Sequence, residues 1–191
     1  MADRRRLALA AGLVLAAVPA ALALSDRHLA GASAALVVST TAGALAVSAL
    51  VAQPLLAGLG RIRPHQALGA VALALVAVHV GALFVESPED ARFALSPDGP
   101  TRARMALFAT VALVAVVALG ALRRRLPLAP ATWRILHGYL AAVVIGLGFG
   151  HAVLTDGALD GLGTTVLLAF GAAGLLGVAA AFAARARRRQ A

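Results

Sequence analysis

Six stretches of 18 to 23 residues, apolar almost throughout, follow one another along the chain: Leu7 to Leu24, Leu29 to Val51, His65 to Val85, Met105 to Leu122, Trp133 to Leu154 and Leu162 to Ala184. No other feature restricts the fold so strongly. A helix rises about 1.5 Å per residue, so each stretch covers the roughly 30 Å of a bilayer's hydrocarbon, where a helix also satisfies its own backbone hydrogen bonds. The breakers and charges fall between the stretches, at Ser25-Asp26-Arg27, Gln53-Pro54, Arg61 to Pro64, Glu86 to Arg104, Arg123 to Pro130 and Asp156 to Gly161. Of the 191 residues 61% are hydrophobic and 13% charged, against about half and a quarter in a soluble domain, which rules out a water-soluble globule. The expected fold is all-α: one integral membrane bundle of six transmembrane helices over residues 1-191, with spans at 7-24, 29-51, 65-85, 105-122, 133-154 and 162-184.

Charge assigns the sides. The net charge of +9 comes from 17 Arg and no Lys against eight acids. With 4% aromatics and no polar groove-like segment, that excess gives no support to nucleic-acid binding. In a membrane protein it is a topology signal, because cytoplasmic loops collect Arg and Lys. One side gathers Arg4, Arg5, Arg6, Arg61, Arg63, Arg123, Arg124, Arg125, Arg134, Arg185, Arg187, Arg188 and Arg189 with Asp3 as its acid. The other has Arg27, Arg92, Arg102 and Arg104 with seven acids: Asp26, Glu86, Glu89, Asp90, Asp98, Asp156 and Asp160. Both termini are therefore expected in the cytoplasm and the bundle in the cell (plasma) membrane, with the one sizeable loop, Glu86 to Arg104, outside. The first stretch has a rival reading as a secretory signal peptide, from Arg4 to Arg6, an apolar core to Val18, and Ala21-Leu22-Ala23. Cleavage of residues 1-23 would leave five spans in the same orientation.

An ionisable side chain inside a span marks function by default, since hydrocarbon offers it no partner. Four of the five His lie in two spans, His65 and His79 in the third and His137 and His151 in the fifth, each pair 14 residues apart. Fourteen residues fall about 40° short of four full turns and rise about 21 Å, so each pair marks one helix face at two depths. Both spans run outward, so His65 matches His137 near the inner boundary and His79 matches His151 toward the outer one. Two sites of two imidazoles suit two stacked haems held axially from opposite helices. Zinc or copper wants three or four ligands around one point, which ligands about 21 Å apart do not supply. With no Cys in the chain, disulfides, iron-sulfur clusters, covalently attached haem and a cysteine nucleophile are all excluded. His28, without a partner at such spacing, reads as a solvated loop residue. Gly69, Gly81, Gly138, Gly146, Gly148 and Gly150 accompany the histidines and would let a flat macrocycle approach. Arg61, Arg63 and Arg134 lie near the inner pair and can bind haem carboxylates, or simply set topology.

Arg61-x-Arg63-Pro64-His65-x13-His79, with Trp133-Arg134-Ile135-Leu136-His137-x13-His151 two spans later, resembles the ferric reductase-like transmembrane domain. That family includes ferric reductases, NADPH oxidases and the cytochrome b subunit of a bacterial methionine sulfoxide reductase system. The resemblance covers most of the chain. It implies two b-type haems on His65, His79, His137 and His151, passing electrons from the cytoplasmic side outward. Members that reduce iron or oxygen carry a flavin and nicotinamide domain, yet no strand, Gly-rich turn and helix reads as a dinucleotide site in this sequence; Gly161-Leu162-Gly163 opens a span. The expectation is a haem-binding membrane subunit of an oxidoreductase with a separate donor (a flavoprotein, quinol or free flavin) and an outer-side acceptor. The rival class, a small transporter or structural membrane protein with incidental histidines, would call for an intramembrane carboxylate, an unwound span or an inverted repeat. No Asp or Glu lies inside any of the six stretches.

Overall fold

The structure, a computed structural model, describes residues 17–18, 21–25, 29–155 and 161–187. Regular structure among them is helical, with no strand. Residues 17–18 and 21–25 of the first apolar stretch are helical. Six helices follow: α1 (Ala34–Gly58), α2 (Ile62–Glu86), α3 (Pro88–Ala94), α4 (Thr101–Ala121), α5 (Pro130–Val153) and α6 (Gly161–Arg187). Of these, α1, α2, α4 and α5 are long and apolar enough to cross a membrane. Arg4 to Arg6, the body of the first expected span, His28 and the acids Asp156 and Asp160 lie outside the described residues.

Helix bounds shift from the expected spans, α1 starting at Ala34 rather than Leu29 and α4 at Thr101 rather than Met105, and two differences have a local reason. The second stretch was expected to close at Val51 before Gln53-Pro54, yet α1 continues through Pro54 to Gly58. A proline inside an apolar span is tolerated where neighbouring helices cover the freed backbone, and α6 lies close by: a Cβ on Gly177 would stand 3.1 Å from that of Pro54. The helix stops instead at Gly60, whose φ of +70° admits the left-handed turn. Gly60 N–H donates to the Ala57 carbonyl at 3.1 Å and Arg61 N–H to that of Leu56 at 2.9 Å, which closes a Schellman motif. The second difference lies in the loop after α2. Pro88 opens the short helix α3 there, with Glu89 and Asp90 in its first turn and the Ser87 hydroxyl donating to Asp90 at 2.7 Å.

The helices form two hairpins, α1 along α2 and α4 along α5, and α6 lies against both α1 and α5. At the outer end Ser33 caps α1 by accepting from Leu36 N–H at 3.1 Å, and its hydroxyl donates to the Glu86 carboxylate at the end of α2. The buried residues mix many small side chains with six large ones, Leu113, Val116, Leu119, Val144, Ile145 and Phe149. Ala42, Ala46, Ala49, Ala72, Ala109, Ala112, Ser39 and Ser48 are buried, while Leu55, Val71, Val78, Phe108, Val111 and Ile135 face outward. Small residues let helices approach where packing, not water exclusion, drives association, and large apolar ones meet the lipid. Thr41, Ser48 and Thr110 satisfy their hydroxyls on the carbonyl four residues back.

Candidate functional site

The two histidine-bearing helices, α2 and α5, lie diagonally across the bundle, flanked by α1, which packs on both, and by α4, which also packs on both. Between them the histidines meet in twos. His65 and His137 have ring centroids 6.0 Å apart at an interplanar angle of 63°, and His79 and His151 are 6.2 Å apart at 64°. The like geometry follows from the equal spacing on two helices that run the same way, which puts the pairs about 21 Å apart along the bundle. No group of three or more His, Cys, Asp or Glu side chains gathers among the described residues.

Each ring is also held in a chosen orientation. His65 Nδ1 donates to the Gln53 carbonyl at 3.2 Å, His79 Nδ1 to the Ser39 carbonyl at 2.9 Å, and His151 Nδ1 to the Arg102 carbonyl at 3.0 Å. A carbonyl oxygen only accepts, so in these three the proton sits on Nδ1 and the lone pair on Nε2. That is the arrangement in which a histidine ligates a metal while the backbone fixes its plane. Ser39 and Gln53 are themselves 14 residues apart. The antiparallel register of α1 on α2 thus brings one acceptor opposite each histidine. The Ser39 hydroxyl returns a hydrogen bond to the His79 carbonyl at 3.1 Å.

His137 is set by an aromatic neighbour. Trp133, one turn earlier on α5, stacks on its ring with centroids 4.8 Å apart at 15°. The indole Nε1–H donates to the Leu119 carbonyl of α4 at 3.0 Å, and the Arg123 guanidinium carbon lies 4.9 Å over the same indole. Next to the outer pair is an apolar cavity of about 340 Å³, lined by both rings, Gly43, Thr110, Val144 and Gly148. Ala91, Ala94 and Leu95, on and after α3, line it as well. Gly43 belongs there for want of a side chain: a Cβ at that position would stand 3.0 Å from His79 Nδ1. At the inner end the Gln53 Nε2 donor is buried with no hydrogen-bond partner, 3.5 Å from where a Cβ on Gly69 would lie.

Of the other residues singled out in the sequence, Arg61 and Arg63 are exposed at the start of α2, and Arg134 is half-buried three residues before His137. Gly81, Gly146 and Gly148 have nothing within 4 Å of an added Cβ, and Gly148 lines the cavity. Sequence reasoning gives Ser39, Gly43 and Gln53 no part in the site, and reads Trp133 only as part of the motif and Arg123 only as a topology charge. Ser39 and Gln53 carried a readable signal, two polar residues on the helix before the histidines at the same interval of 14. Comparison with family models, with curated proteins and with solved structures finds no match for the chain.

Proposed function

We propose that the protein is a membrane b-type cytochrome of the ferric reductase-like kind, carrying electrons from a cytoplasmic-side donor through two bis-His haems to an outer-side acceptor. The observation that carries this reading is the pair of matched imidazole pairs, each about 6 Å between ring centres. A metal–imidazole bond is about 2.0–2.1 Å and the ring centre lies about 1.1 Å beyond, so two imidazoles on opposite sides of one metal have centres about 6.3 Å apart. With two side chains per site, the remaining coordination positions call for a planar multidentate ligand, and the absence of Cys leaves it non-covalently held. Held there by His65 with His137 and His79 with His151, haem would supply one-electron redox chemistry.

The chain's own residues do the rest. The Ser39, Gln53 and Arg102 carbonyls fix three imidazole planes and make those ligands more basic. The cavity beside His79 and His151 surrounds that pair with apolar side chains. Arg61, Arg63, Arg134 and the buried Gln53 amide offer donors to carboxylates at the inner end. The six-span count, the cytoplasmic termini and the plasma membrane belong to this reading, supported by thirteen Arg on one side against four on the other. So does the separate donor, a flavoprotein, quinol or free flavin.

Haem content of the purified protein, expressed with haem supplied, tests the proposal. The expected result is about two acid-acetone-extractable haems per chain, one for each two histidines, by pyridine haemochrome. A chain without haem overturns it.

A further inference from the structure

The two histidine pairs share their separation and tilt but not their support. Each ring of the outer pair is held by a backbone carbonyl. In the inner pair a carbonyl holds His65, while Trp133 lies face to face with His137 and Arg123 lies over Trp133. The indole is itself pinned, its Nε1–H on the Leu119 carbonyl at the end of α4. His137 can rotate about its Cβ–Cγ bond only by tipping its face into a ring that is tied down, so the stack restricts its plane. A guanidinium is charged at all accessible pH, and its attraction for the indole face keeps that charge beside the inner pair.

We propose that Trp133 is a positioning residue for His137, and that Trp133 and Arg123 together raise the reduction potential of the group held by His65 and His137. This rests on the haem reading above. The sign follows from electrostatics: an added electron lowers the positive charge at the metal, so a fixed cation on the indole that covers the ligand favours the reduced form. The half-buried site screens that charge less than bulk water would.

A mediated redox titration of the full-length protein in detergent, followed by haem absorbance, tests it. The wild type is expected to show two components, and H137A identifies the inner one by removing it. R123Q should move that component alone to lower potential, by a threefold to tenfold change in the ratio of oxidised to reduced forms, or about 30 to 60 mV for one electron. W133L should move it the same way and broaden its spectrum, because the imidazole plane is released. W133F keeps a ring to stack on but loses the Nε1–H bond that ties it down; it should fall between W133L and the wild type, and a value no different from W133L would overturn the role of the stack. Should W133L fail to assemble, R123Q still decides the charge and W133F the stack. Two components that both keep wild-type potentials in R123Q and in W133L, or a shift in the component that H151A removes, overturn the inference alone. A wild-type protein without haem overturns the reading beneath it as well.

Discussion

Replacing Gly43 by Ala adds one methyl group at a place where the structure leaves no room for it. Its carbon would stand 3.0 Å from His79 Nδ1, 3.3 Å from Cε1 and 3.5 Å from Cγ. Favourable contact begins near 3.5 Å, so the imidazole must withdraw by about 0.5 Å. The ring is not free to do so. Its Nδ1 bond to the Ser39 carbonyl, now 2.9 Å, would stretch to about 3.4 Å, beyond the usual 2.7–3.2 Å for an N–H···O bond. Losing that bond costs about 1 kcal/mol and the residual crowding about as much again. Together they predict roughly 30-fold weaker retention of the outer haem, within the tenfold to hundredfold range seen when the partner of a metal-bound histidine is disturbed. Gly81→Ala is the control. It lies two residues from His79 on α2, has nothing within 4 Å of its added Cβ, and should hold haem as the wild type does, with up to about 1 kcal/mol of helix propensity gained. Haem transfer to an excess of a soluble acceptor measures both: G43A should lose one haem quickly and one at the wild-type rate. Equal loss curves for G43A, G81A and wild type would refute the argument that Gly43 makes room for His79.

Three further outcomes follow from the same geometry. His79→Ala and His151→Ala should each remove one haem, and the double variant no more than either, because a single change already breaks the pair; coupling of His65 with His151 instead would contradict the pairing. A tag near Asp98 should be reachable from outside intact cells and one at the C-terminus should not, with the reverse result meaning that the spans were miscounted. Gly171→Ala would put a Cβ 2.7 Å from Phe149 Cδ1, so it should destabilise the α5–α6 contact by about 1 to 3 kcal/mol, read as a lower unfolding temperature in detergent.

The solvent of this chain, its helical class and the spacing of its histidines are legible in the sequence, because each depends on one helix at a time. An apolar stretch of about 20 residues admits helix and little else in hydrocarbon, and 14 residues return a helix to nearly the same face whatever surrounds it. Even locally the reading had limits. Pro54 was taken as a breaker, but a span needs its freed backbone covered rather than absent, and the neighbour that covers it, α6, is distant in sequence. What only the tertiary structure decided is how helices meet. Register between α1 and α2 selects the Ser39 and Gln53 carbonyls as partners for His79 and His65. The close approach of the same two helices makes Gly43 necessary where Gly81, nearer to His79 in sequence, faces open space. The fold of the α4–α5 turn lays Trp133 on His137 and Arg123 on Trp133. These are contacts between side chains and carbonyls of different helices, set by a few ångströms of sliding or rotation that leave every residue's own hydropathy and spacing unchanged, so hydropathy and spacing do not record them.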